Sequence, residues 1–232
     1  MSAISTPYEG NDPHGNGVAV EELHDATLQH HFATKEQQFE TSKIGMWLFL
    51  ATEILMFGGL FAGFTLMQNR FPEAFLLGHE HLDKRLGALN TVVLLISSYT
   101  MVMAVHKART NKKKALITYL SLTITCALIF LGVKYVEYSQ KIEHGLLPGH
   151  FFTFKGDPTG HQFIFFSFYF LMTGVHGFHI LVGVLVLFWI LARASKGQFS
   201  SSYYTPVDLV GLYWHLVDLI WIYLFPLLYL IK

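Results

Sequence analysis

Six ionisable side chains stand inside apolar runs that ought to exclude them, and their spacing limits the chemistry open to them. Glu53 lies in WLFLATEILMFGGLFAGF, a run otherwise free of formal charge. Glu137 follows Lys134 by three residues in KYVEYSQ, which puts base and acid on one helical face within reach of a local ion pair. His176 and His179 are three apart in FYFLMTGVHGFHILVG, as are His215 and Asp218 in GLYWHLVDLIWIYLFPLLYL, so each pair also shares a face. Paired imidazoles can ligate a metal or haem, and an imidazole beside a carboxylate can share a hydrogen bond that perturbs both groups. A metal site takes three or four ligands, however, and neither the single cysteine, Cys126, nor a neighbouring carboxylate completes one. Packed, hydrogen-bonded histidines are therefore the stronger reading. A His–Asp pair without a nucleophile is no hydrolase triad, and the chain contains no GxSxG, HExxH or P-loop pattern.

Glu53 carries the largest penalty, since a carboxylate at mid-membrane costs about 2.5–3.5 kcal/mol on insertion scales. It reads as a neutral acid hydrogen-bonded within the bundle or facing a partner helix or lipid head group. A proton relay ranks below these, because no second buried carboxylate continues a chain from it. Glu137 reads as an interfacial anchor and not as a catalytic group. His14, His24, His30, His31, His79 and His81 lie on the water side and read as solvated surface more than as a metal site. No catalytic residue and no metal site is expected in the chain.

The elements that carry these residues follow from composition. Of 232 residues 52% are hydrophobic and 14% charged, and mean hydropathy is +0.40; a soluble domain carries about 25% charged residues. Formal net charge is zero, which gives no reason to expect a nucleic-acid partner. One cysteine excludes an internal disulfide framework. A bilayer core about 30 Å thick takes roughly 20 apolar residues per helix, and five runs meet that need: 44–67, 86–105, 115–133, 162–192 and 209–231. The fourth is long enough to tilt, kink or project. Strands would leave backbone groups unpaired in lipid, so the expected fold is all-α, a bundle of five transmembrane helices over 44–232. Residues 1–43 form a polar tail with seven acidic residues against Lys35 and Lys43, partly disordered, turning helical from about Thr27. The 134–161 connection is too long for a plain turn and is expected to pack across the end of the bundle.

Lys and Arg counts favour the side holding the tail and the 106–114 and 193–208 loops, nine against seven. The five basic residues of the short 106–114 loop place it in the cytoplasm, with the N-terminus inside and the C-terminus outside. Small residues mark expected helix contacts: Gly59 and Gly63 as a GxxxG pair, then Gly174, Gly177 and Gly183. Trp214 and Trp221 supply aromatic bulk for packing in the fifth span.

FYFLMTGVHGFHILVG followed by GLYWHLVDLIWIYLFPLLYL resembles subunit III of the haem–copper cytochrome c oxidases. TEILMFGGLFAGF resembles that family's glutamate-bearing helix, which gives Glu53 the place of its buried carboxylate, and KYVEY resembles the segment carrying a second glutamate, here Glu137. The resemblance runs from about residue 40 to the C-terminus. It implies a five-helix bacterial form without the two leading helices of the seven-helix form, in a bacterial plasma membrane. It also implies an accessory role: haem and copper in partner subunits I and II, bound phospholipid, stabilisation of the catalytic subunit and support of proton uptake. Cytochrome c, favoured by the FPLLYLI ending, or quinol in the related branch, would be oxidised only through the partners. Two other function classes compete. A stand-alone haem carrier would use His176 or His179 with His215 as axial ligands, and a transporter is disfavoured by the absence of an internal repeat.

Overall fold

The computed structural model describes residues 32–154, 156–201 and 203–231; the tail histidines His14, His24, His30 and His31 lie outside them. The chain divides into two units, 1–38 and 39–232. In the first, the described residues open a helix. The Thr34 hydroxyl accepts from the Gln37 amide at 3.1 Å, and the Gln37 side chain accepts from the Ala33 amide at 3.0 Å, a capping-box exchange that satisfies otherwise orphaned donors.

Six α-helices follow in chain order among the described residues: α1 (Lys35–Arg70), α2 (Pro72–Glu80), α3 (Lys84–Arg109), α4 (Lys113–Glu143), α5 (Gln162–Ser195) and α6 (Thr205–Tyr229). All but α2 are long and apolar enough to cross a membrane. Four of the five expected spans fall inside these helices, and the fifth, 209–231, overruns the end of α6 by two residues. Two features differ from expectation. The nine-residue α2 lies between the first two expected spans, where no helix is expected, and it starts at Pro72, whose missing N–H costs nothing at a helix N-terminus. Helix α4 does not stop near residue 133 but runs on to Glu143, because its polar residues Lys134, Glu137 and Lys141 are buried.

Helix ends obey local chemistry. The Asp83 carboxylate accepts from the Arg85 amide at 2.8 Å and caps α3. Gly145 ends α4 at φ 71°, returning the Leu146 amide to the Lys141 carbonyl at 3.0 Å, a left-handed turn that glycine enters without strain. The chain then crosses the bundle end, with Leu146 bridging to Phe152 and Phe154 set edge-on to His81 at 5.1 Å.

Helices α3, α4, α5 and α6 pack as a closed ring, α3 on α4, α4 on α5, α5 on α6 and α6 back on α3, with α2 laid against α5 and α6. Helix α1 stands outside the ring and buries only Leu50, Phe57 and Phe64 fully. The ring interior holds Trp214, Trp221, Tyr169, Tyr229 and Phe130, none detectably exposed. Trp47, Leu48, Leu55, Leu185 and Trp189 face outward, each more than half exposed. Such a surface is untenable in water and ordinary in lipid.

Candidate functional site

The buried polar residues fall into separate stations, each built by a different helix pair. At the first, His179 on α5 turns toward α1. Its Nδ1 donates to the Val175 carbonyl at 2.7 Å, and its Nε2 meets Glu53 Oε2 at 2.9 Å. With Nδ1 committed as donor, a single proton lies on the Nε2–Oε2 line whichever group owns it. Both side chains are about 15% exposed, at 14% and 15%, and Phe57 covers the imidazole edge-on at 5.4 Å. Glu53 thus meets a partner on its own chain.

At the second station, near the end of α4, Lys134 Nζ donates to Glu137 Oε2 at 3.0 Å and to the Tyr229 hydroxyl at 2.9 Å, while Tyr229 donates to Glu137 Oε1 at 2.6 Å. The ammonium also lies 4.8 Å from the Trp221 ring and 5.2 Å from Tyr169. Glu137 has no detectable exposure. The expected interfacial anchor is therefore a closed ion pair inside the ring, enclosed by aromatics that α5 and α6 deliver from far along the chain.

The third station lies between α3 and α6. His215 Nδ1 and Ser98 Oγ are hydrogen-bonded at 2.7 Å. Asp218 is buried, with both oxygens shielded from solvent and the Ser98 hydroxyl beside its carboxyl. Spacing allowed His215 and Asp218 to pair; the structure instead sets Ser98 between them, hydrogen-bonded to the imidazole and beside the carboxyl.

The histidines of α5 do not act together. His176 is fully buried, set edge-on to Phe130 at 5.6 Å and tilted over Trp221 at 5.3 Å, with no hydrogen bond to either ring nitrogen. Among the described residues no group of three His, Cys, Asp or Glu side chains is placed to hold a metal ion. His79, expected on the solvated surface, is buried and its Nδ1 donates to the Leu76 carbonyl at 2.5 Å.

Small residues correct another expectation. A Cβ built on Gly59 or Gly177 would meet nothing within 4 Å, and at Gly63 and Gly174 it would reach only Phe168 and Tyr138 side chains, at 3.4 and 3.8 Å. No second backbone approaches them among the described residues. Close approach occurs at Gly183, where a Cβ would lie 2.7 Å from the Trp214 ring. Trp214 in turn donates to Ser97 at 2.7 Å and Trp221 donates to Thr91 at 3.1 Å, pinning α6 to α3.

One further cluster has no signature in the residue spacing. Asp208, at the start of α6, accepts from Arg109 at 2.5 Å and lies 3.5 Å from Lys43 Nζ, with Tyr204 under the guanidinium at 5.1 Å. These three helix ends are distant in the chain, so only the fold brings them together.

The profile of the family described as cytochrome c oxidase subunit III matches residues 21–232. The chain belongs to the cytochrome c oxidase subunit III family. It is similar to the quinol oxidase subunit 3 of Bacillus spizizenii, 30% identical over 201 residues that span 85% of this chain and 92% of that one. It is also similar to the probable quinol oxidase subunit 3 of Staphylococcus epidermidis, 27% identical over 198 residues, 85% and 92% of the two chains. That of Staphylococcus saprophyticus is 28% identical over 192 residues, 82% and 89%. Subunit III of a haem–copper oxidase is a non-catalytic, multi-pass membrane component, and the stations above suit it. Polar groups are held between helices and do not converge on a reaction centre.

Proposed function

We propose that this chain is the accessory subunit III of a proton-pumping quinol oxidase in a bacterial plasma membrane, holding lipid and steadying the catalytic subunit. The observation that carries the donor assignment is the 30% identity over 85% of the chain to a protein named quinol oxidase subunit 3. It outweighs the short FPLLYLI ending, which favours cytochrome c. Subunit I is the main neighbour in this reading, with subunit II in the same complex; haem and copper belong to those chains. The five basic residues of the 106–114 loop support a cytoplasmic position for the Arg109–Asp208 end.

Two features support the lipid and scaffold roles. A cavity of about 520 Å³ opens between α1 and α6, walled by Trp47, Ile54, Phe61, Leu216 and Tyr223, and is almost wholly apolar, as an acyl chain requires. Glu53, His179, Glu137, His176, His215 and Asp218 act as buried polar pins or proton-holding groups in this reading, and none is catalytic. Gly59, Gly63, Gly174 and Gly177 lie where neighbouring subunits or lipid could approach.

The test is purification of the complex from native membranes in mild detergent, followed by turnover with quinol and with reduced cytochrome c. Haem retained on a large partner after this chain is stripped away, with quinol-dependent oxygen consumption, supports the assignment. Cytochrome c turnover alone would give the complex the other donor. A Soret band travelling with this chain would make it a haem carrier and overturn the accessory reading.

A further inference from the structure

Near one end of the bundle three helices bring charge together. Lys43 on α1 meets one carboxylate oxygen of Asp208 on α6 at 3.5 Å, and Arg109 on α3 meets the other at 2.5 Å. The carboxylate is the buried member, its side chain 9% exposed against 37% for Lys43 and 49% for Arg109. Two cations over one carboxylate leave a positive charge in excess, and the cations are what the triplet presents outward. Aromatic rings hold both in place, Phe39 at 4.4 Å from the ammonium and Tyr204 at 5.1 Å from the guanidinium. An apolar groove begins beside each cation. Lys43 stands four residues, about one turn, before Trp47 at the head of the α1–α6 cavity of about 520 Å³. Arg109 stands four residues beyond Val105 in a groove between α3 and α6 that continues past Val102 to Leu95 and Ile222. Helix α6 is the ridge between them, since Leu212, His215 and Leu219 line both sides.

We propose that an anionic diacyl phospholipid straddles α6, with its headgroup phosphate on Lys43 and Arg109 and one acyl chain in each flanking groove. From Asp208 to Tyr223 the ridge runs fifteen residues, about 22 Å at 1.5 Å per residue. One leaflet supplies about 15 Å of hydrocarbon, so a lipid anchored at the triplet keeps its chains within the grooves. Their walls suit hydrocarbon: Leu95, Val102, Leu219 and Tyr223 are each half exposed or more, a surface that lipid covers and water does not. Basic residues between membrane helices favour acidic headgroups, and the long Lys and Arg stems let the charges reach the interface while their carbons stay against apolar surface. A zwitterionic headgroup sets its own ammonium against the same excess of positive charge and gains less. The proposal rests on the reading of the α1–α6 cavity as a lipid groove and adds the headgroup that selects the lipid.

The test is photo-crosslinking of the intact oxidase in vesicles that carry a diazirine-acyl phosphatidylglycerol or the matching phosphatidylcholine, with labelled peptides mapped by mass spectrometry. The α6 peptide should take the acidic probe about fivefold more than the zwitterionic one, the preference conferred by one surplus cation near a membrane surface. High salt should reduce that preference in the wild type, which needs no variant. Lys43→Gln with Arg109→Gln should bring the ratio close to one, whereas Asp208→Asn, which frees both cations, should raise it. Gly58 lines the α1–α6 cavity and a Cβ there meets nothing within 4 Å, so Gly58→Phe should fill the groove and lower α6 labelling by both probes. Equal α6 labelling by the two probes in the wild type, or a preference that survives loss of both cations, overturns the headgroup site and leaves the lipid groove standing. An α6 peptide untouched by either probe, while exposed peptides of α5 are labelled, overturns both and shows the grooves covered by a neighbouring chain.

Discussion

Removal of Lys134 tests whether the buried ion pair is held together by compensation of charge. In Lys134→Met the apolar stem is kept and the ammonium lost, so Glu137, without detectable exposure, retains only the Tyr229 hydroxyl at 2.6 Å. Breaking one partner of a buried pair costs about 3–5 kcal/mol. The surviving charge-assisted hydrogen bond, worth about 1.5–3 kcal/mol, holds the loss to the lower part of that range. Lys134→Met combined with Glu137→Leu removes the stranded charge as well. The double variant then suffers mainly from the Tyr229 hydroxyl left without its acceptor, about 1–3 kcal/mol. The double change is thus expected to be milder than the single one. Unfolding by sodium dodecyl sulfate in mixed micelles, followed by tryptophan fluorescence, suits the question because Trp221 lies 4.8 Å from the ammonium. A double variant no more stable than Lys134→Met would refute the argument from an uncompensated charge, as would a single variant indistinguishable from the wild type.

Glu53, enclosed by His179 and Phe57, should react with a hydrophobic carbodiimide and resist a water-soluble one; equal labelling by both would contradict its placement. Gly183→Ala drives a Cβ to 2.7 Å from the Trp214 ring and should cost about 1–3 kcal/mol by overpacking, whereas Gly59→Ala meets nothing within 4 Å in this chain and should leave the melting temperature of the isolated chain unchanged. The reverse order in a thermal-stability comparison would show that the packing is misassigned. In the loop before α5, burial acts to raise the Asp157 carboxyl, but donation from the Thr159 hydroxyl and from the amides of Gln162, Thr159 and Gly160 outweighs it and holds the group below its usual range. A depressed value in the folded state adds stability above the ordinary carboxylate range that is lost as pH falls through the lowered value. Asp157→Asn should therefore flatten the acid limb of a melting-temperature-against-pH profile, and superimposable profiles would sink the assignment.

The spans were legible because lipid imposes one rule on composition, and 20-residue apolar runs have few alternatives. What the runs concealed were elements whose burial comes from outside themselves. PEAFLLGHE is too short to stand as a span, yet Phe75 is fully buried because Phe64 and Phe165 stand against it at 5.0 and 5.5 Å. KYVEYSQKIE reads as a departure from the membrane until Tyr169 and Tyr229 are seen to enclose its charges. The Lys134–Glu137 pair was visible in an i, i+3 spacing; its tyrosines lie 35 and 95 residues from Lys134 and were not. Spacing failed outright for His215 and Asp218, because a shared helical face makes a contact feasible and Ser98 on another helix offered the imidazole a better one.

The arrangement of helices and the arrangement of polar groups have one explanation. Lipid supplies no hydrophobic drive for helices to associate, so packing and polar pairing must do it. The ring is secured on its α3–α6 side by Trp214 to Ser97 and Trp221 to Thr91, and across α4 to α6 by Lys134, Glu137 and Tyr229. Helix α1 is held more sparsely, by Glu53 with His179 near its middle, Lys43 with Asp208 near one end, and Phe64 among aromatics near the other. Between those points its small-residue face stays open, with nothing within 4 Å of a Cβ at Gly58 or Gly59. A sparsely attached helix with an open glycine face is suited to meeting something other than its own chain. Its few buried side chains are no defect in a helix whose outward face meets lipid.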